Sequence, residues 1–303
     1  MTREVYKLEF ITPCFCAGAD NAVAELRASS VRGQLRWWFR ALGGTYDEEK
    51  ALFGGVAHKK GDDNLQSRIV VRTRLVHENA DWEKPSFTAN DPESYVWYYA
   101  KVSGLDSKAP KYEKDQGGPR WRNDVFLAPG TKWELHVLYR DTASAENERF
   151  RKALTCFLAL GGIGLRVTRG LGAFVCKAVP YNADVKTILL DARFAVEERF
   201  TCQQITKDTY AKIGELVKGA REKTGWKNND AGDTPSPMGS SLSLRQTSAV
   251  YFRMAGIGER LQLVIFEAPH DRVLGEVSRK DVLVGRSPSA IMPPARRGDP
   301  GRR

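Results

Sequence analysis

Arg32, Arg36 and Arg40 stand four residues apart and are the side chains here best spaced to bind an anion. In a helix that spacing sets them in one row. Like charges at i, i+4 repel by about 0.2–0.5 kcal/mol per pair, and no carboxylate lies between these three. The row therefore needs either an anionic partner or counter-charges from elsewhere in the fold. Trp37 lies off the apolar face of the same helix and could stack a base; it could equally pack under the 77–130 insertion or against a neighbouring subunit. A second stretch, residues 161–172 (GGIGLRVTRGLG), combines five glycines with Arg166 and Arg169. Glycine tolerates φ > 0 and lets another backbone approach closely. Successive amides in such a loop form an anion-binding concavity, and arginine pairs with phosphate. The loop is not a P-loop, because no G-K-[ST] follows. It follows a helix and precedes a strand, the reverse of a dinucleotide fingerprint. The other reading is an elaborate turn with solvent-facing arginines. The candidate phosphate-binding set is Arg32, Arg36, Trp37, Arg40, Gly162, Gly164, Arg166, Arg169, Gly170 and Gly172, with Arg36, Arg40, Arg166 and Arg169 flanking one backbone track.

Other chemistries find less support. Acid–base cleavage of a phosphodiester needs a base and an acid, often histidine. The four histidines, His58, His77, His136 and His270, form no recognisable pair and read as surface or satisfied side chains. Cys14 and Cys16 make a lone C-x-C, whereas a zinc site needs four ligands. The five cysteines are odd in number and irregularly spaced, which fits reduced thiols. No metal site, catalytic residue or cofactor is expected. The net charge of +10 favours nucleic acid or an acidic partner. No apolar run approaches the ~20 residues of a membrane span, and the N-terminus has no signal-like apolar region. The expectation is a cytoplasmic protein with no membrane partner.

The elements that would position these residues follow from periodicity. Residues 5–11 alternate as a strand with Tyr6, Leu8 and Phe10 on one face. Residues 29–42 form a helix whose apolar stripe is Val31, Leu35, Trp38, Phe39 and Leu42, capped by Ser29 or Ser30 and ended by Gly43-Gly44. A short amphipathic piece at 48–53 follows. Residues 68–76 and 132–140 are strands, 143–160 a helix, and 172–179 a strand. That order, βαββαβ, defines an α+β, ferredoxin-like domain over residues 1–180, interrupted by an insertion at 77–130. Both helices would cover one sheet face, leaving Lys7, Arg68, Arg72, Arg74, Lys132 and Lys177 on the other. Residues 181–286 read as a second, smaller α+β unit. It would comprise a strand at 187–195, a helix at 205–220, a polar linker at 224–246, a hairpin turning at Gly256-Ile257-Gly258, and a short helix and strand at 273–283. Residues 287–303 read as a disordered basic tail.

The two motifs together resemble the RAMP superfamily of CRISPR effector subunits. Residues 161–172 sit where those proteins carry a glycine-rich loop between the last helix and last strand. Residues 24–33 (AELRASSVRG) look like the family's entry into its first helix. Within the family, FITP at 10–13, AGAD at 17–20, SVRGQLRWWFRALGG at 30–44 and LFG at 52–54 are similar to the first-numbered subunits of the type III-B (Cmr) complex. The resemblance implies a non-catalytic subunit that binds the guide CRISPR RNA (crRNA) near its 3′ end. Its partners would be other RAMP backbone subunits and, indirectly, target RNA. The alternative is a metal-independent RAMP endoribonuclease acting on CRISPR RNA precursors or on target RNA. Asp20 lies where the target-cutting RAMP subunits carry a catalytic aspartate, and it is the residue that alternative would test first.

Overall fold

The structure is a computed structural model that describes residues 2–18, 23–55, 64–83, 85, 91–101, 125–139, 144–223, 238–239 and 247–274. Asp20, His58, most of the 224–246 linker and the 287–303 tail lie outside the described residues. So does the strand expected within 273–283, apart from its first two residues.

The first sheet contains β1 (Thr2–Phe10), β2 (Ile69–His77), β3 (Lys132–Tyr139) and the short β4 (Phe174–Val175) in the order β2-β3-β1-β4, all antiparallel. Helix α1 (Ala28–Ala41) follows β1 and helix α4 (Ala145–Leu160) follows β3. Both cover the face made by Leu8, Phe10, Trp133, Leu135 and Val137, all buried. The alternating pattern of β1 and β3 fixes which face is covered. Helix α2 (Tyr46–Phe53) lies between α1 and β2 in the chain, and α3 (Ser94–Lys101) occupies part of the 77–130 insertion.

The second sheet has the order β5-β7-β6, from β5 (Ala195–Cys202), β7 (Arg260–Glu267) and β6 (Val250–Ile257), again antiparallel. Tyr251 and Phe266 on one face join the core around α1 and α4. Phe252, Leu263 and Ile265 on the other face pack with Trp97 of α3 and with Ile213, Val217 and Ala220 of α6 (Lys207–Lys223). Burial on both faces explains why β6 reads as a continuous apolar run. Helix α5 (Ala183–Asp191) and the short α7 (His270–Val273) complete the described fold.

Several sequence expectations are corrected here. Helix α1 starts before the serine pair: Arg27 is its N-cap, without a side-chain cap, and its carbonyl accepts from Ser30 and Val31. Gly43 does end it, at φ +94°. Residues 187–191 are helical, not a strand. Asn182 caps α5 by accepting from the Val185 amide, and Val185 and Leu189 bury at i, i+4 spacing. The strand expected at 172–179 shrinks to two residues. The hairpin turns at Gly258-Glu259 rather than one turn earlier, because Ile257 still pairs with Arg260 and Gly258 takes φ +65°.

Candidate nucleic-acid interface

The arginine row faces α2. Arg36 Nε donates to Glu49 Oε1 at 2.5 Å, and Arg40 Nη1 lies 3.2 Å from Glu49 Oε2. The Glu49 side chain is 3% exposed, against 39% for Arg36 and 47% for Arg40. Arg32 donates to the Phe53 carbonyl at the end of α2. The counter-charge that α1 lacks therefore comes from the next helix. Glu49 reaches its place because Thr45 and Glu48 form a capping box that starts α2 one residue later, and the Arg149–Glu48 ion pair ties that turn to α4. Sequence reasoning missed Glu49. The signal was present in the Thr45-x-x-Glu48 spacing, which fixes the phase of the helix.

One carboxylate does not neutralise three guanidinium groups. Burial, with Arg36 nearby, lowers the pKa of Arg32. Between α1 and α2 lies an open cavity of about 540 Å³. Its wall includes Arg32, Arg36, Lys50, Phe53 and Gly55, with Tyr46 at 64% exposure. Removing both Arg36 and Arg40 would leave Glu49 charged and buried. The Arg36→Ala/Arg40→Ala double variant is expected to lose about 3 kcal/mol, the low end of the range for stripping a buried charge, because both arginines already reach solvent. Urea unfolding checks this. Either single variant leaves one partner and should lose far less.

The glycine loop is packed inward. Gly161, Gly162, Gly170 and Gly172 are buried, as is Arg169. The Gly172 amide donates to the Pro13 carbonyl and the Ile163 amide to the Gly172 carbonyl. Thr12, fully buried, donates its hydroxyl to Gly170 and accepts from the Ala173 amide. Arg169 donates to the Met238 and Val250 carbonyls at 2.5 and 3.3 Å, and its backbone bridges Phe252. Beneath Gly162 lies the guanidinium of Arg253, itself 1% exposed. Arg253 Nη1 donates to the Leu171 carbonyl, and burial pushes its pKa down to about 10. The loop thus joins the two sheets through backbone carbonyls. Gly164 and Leu165 reach the surface, and Arg166 is half-buried, donating to the Tyr95 and Val96 carbonyls of α3. The arginines expected to flank one track are held by different elements: Arg36 and Arg40 by α2, Arg166 by α3, Arg169 by residues beside β6.

Trp37 is half-buried rather than at an open edge. Its ring lies 5.1 Å from Trp38 and 4.7 Å from Tyr251. The second sheet packs on α1, so the helix buries a wider arc than one stripe. The uncovered face of the first sheet carries exposed Lys7, Arg72, Arg74 and Lys132, with Arg68 and Lys177 also exposed. Part of it is already paired: Arg74 and His136 both bind Glu134, at 2.9 and 3.1 Å. His270 bonds Glu267 at 2.7 Å in the interior. Among the described residues no cluster of His, Cys, Asp and Glu could hold a metal ion, and no helix could cross a membrane.

This is an α+β protein of two antiparallel sheets, with a cationic helix edge on its surface and a glycine loop in its interior. The chain belongs to the RAMP superfamily, whose family model matches residues 7–175. It is 31% identical over 191 residues to the CRISPR system Cmr subunit Cmr1-2 of Pyrococcus furiosus, covering 57% of this chain and 94% of that one. It is 24% identical over 180 residues to the Cmr1-1 subunit of the same organism, covering 57% of this chain and 47% of that one. The fold is similar to the apo crystal structure of P. furiosus Cmr1, with TM-score 0.54, 18% identity and 88% of each chain covered.

Proposed function

We propose that this chain is a non-catalytic, crRNA-binding subunit of a type III-B CRISPR effector, bound near the guide's 3′ end in the cytoplasm. Its partners are the RAMP backbone subunits and, through the guide, target RNA. The observation that carries the reading is the cationic surplus along α1, where one buried carboxylate answers three arginines. The relationship to Cmr1-2 across most of that protein's length supports the assembly. The strand order β2-β3-β1-β4, with α1 and α4 on one face, supports a ferredoxin-like domain over 1–180, followed by a smaller α+β domain over 181–286 and a basic tail. Arg32, Arg36 and Arg40 take the phosphates, joined by Gly164 and Arg166 at the surface of the glycine loop. Gly162, Arg169, Gly170 and Gly172 hold that loop in shape from inside, and Trp37 sets the angle of α1 against the second sheet. Phosphate contacts of this kind position RNA without reading sequence.

The full chain is expected to bind single-stranded RNA of unrelated sequences with similar affinity. Log K should fall with log salt by about 0.7 per neutralised phosphate. A flat salt response in a binding titration would count against phosphate recognition. Incubation with repeat RNA and with guide-paired target is expected to leave both intact. Cleavage that disappears in Asp20→Ala or His136→Ala would overturn the non-catalytic assignment.

A further inference from the structure

We infer that the cavity between α1 and α2 is a nucleotide pocket, holding one phosphate of single-stranded RNA on Arg32, Arg36 and Lys50 and the attached base on Tyr46. The inference rests on the RNA-binding reading above and adds to it a place and two residues of α2.

The pocket has the size and lining of a ligand site rather than of a packing fault. Its volume of about 540 Å³ lies within the ~300–1,000 Å³ usual for small-molecule sites. Three cations line it, and the one acid on its wall, Glu49, is engaged by Arg36 and by Arg40. An anion entering there meets unneutralised charge. Arg32 and Arg36 stand one helical turn apart and repel each other, so a shared anion relieves a cost already built into α1. Tyr46 projects from the first turn of α2 with 64% of its surface exposed, and Leu65 on the same wall is 43% exposed. An exposed aromatic beside clustered cations suits a nucleotide, which offers a π-face next to its charge. An acidic peptide would use the cations and leave Tyr46 idle. Close approach is eased where α2 ends: Gly54, at φ +76°, and Gly55 present backbone without side chains at the cavity wall.

Tyr46 and Lys50 make the discriminating test, because changing Arg36 also disturbs the Glu49 ion pair. Neither Tyr46 nor Lys50 belongs to the buried core. The probes are a fluorescent ten-nucleotide oligo(A) RNA and, as competitors, 5′-AMP, inorganic phosphate and a poly-glutamate peptide. The measurement is anisotropy with the full chain, with circular dichroism to verify folding. Tyr46→Ala should weaken RNA binding about tenfold, within the ~1–3 kcal/mol of one stacked base, while Tyr46→Phe keeps it. Lys50→Ala should weaken it several-fold and flatten the salt slope by about 0.7. 5′-AMP should compete better than phosphate for the parent, and lose that advantage in Tyr46→Ala. An RNA-binding parent with unaffected Tyr46→Ala and Lys50→Ala variants overturns the pocket while leaving the RNA-binding reading intact. A parent that binds no RNA overturns both. Poly-glutamate that competes as well as RNA, with Tyr46→Ala unchanged, assigns the cavity to an acidic protein and also overturns the inference.

Discussion

Replacing Trp38 with alanine is expected to destabilise the protein by about 3–5 kcal/mol, the usual range for truncating a buried Trp. Trp38 is 2% exposed and lies between two layers. Its ring stacks on Phe194 at 6.0 Å and meets Phe266 at 5.3 Å, so the cavity left behind would open the contact between α1 and the second sheet. Relaxation cannot fill it easily, because Phe266 is itself stacked on Tyr251 at 5.0 Å. Trp37→Ala removes a half-buried ring from the same contact and should cost about half as much. Its Nε1 has no hydrogen-bond partner among the described residues, so Trp37→Phe should cost little. Urea unfolding followed by circular dichroism ranks the three. Equal stability of Trp38→Ala and the parent would mean that the second sheet does not close on α1. A large loss of RNA affinity in Trp37→Phe at unchanged stability would mean that the indole contacts RNA directly.

The sequence carries the first sheet and its helices clearly, and the reason is geometric. β1 and β3 bury one face each, so residues such as Leu8, Phe10, Trp133 and Leu135 alternate cleanly with Lys7, Lys132 and Glu134. The stripe Val31, Leu35, Trp38 and Phe39 is equally plain. What periodicity cannot report is a second layer on the back of an element. Trp37 looks displaced from the apolar face until β6 is placed against it, and β6 is reached more than 200 residues later in the chain. The candidate site shows the same limit. The arginine row is legible from its spacing. Its counter-ion is not, because Glu49 depends on how α2 folds back onto α1. Nor does composition reveal the destination of a glycine. Residues 161–172 have the make-up of an anion cradle, yet the partners of Gly162, Arg169 and Gly172 are a buried guanidinium and backbone carbonyls.

That inward packing gives the glycine loop the second large effect. Gly172→Ala is expected to cost about 2–5 kcal/mol. The residue sits at φ +63°, and an added Cβ would meet the Ile163 carbonyl oxygen at 1.7 Å. The left-handed conformation costs an alanine roughly 1–2 kcal/mol, and forcing atoms into a packed interior adds typically ~1–3 kcal/mol. The clash is with backbone, so no side-chain rotation relieves it. The Ile163 amide donates to the Gly172 carbonyl and Cys14 donates its thiol to the Ile163 carbonyl, so the strain passes directly into the junction between β1 and the loop. Two controls separate the contributions. Gly258→Ala, at φ +65° with nothing within 4 Å, should show the conformational cost alone. Gly33→Ala, in the interior of α1 with nothing within 4 Å, should stabilise by roughly 0.5–1 kcal/mol, because alanine loses less backbone freedom than glycine in a helix. If Gly172→Ala lost no more stability than Gly258→Ala, the close approach of residue 172 to Ile163 would not exist in solution. The loop would then be open at that point, with its amides free to face an anion, and the phosphate track would extend from α1 to the glycine loop after all.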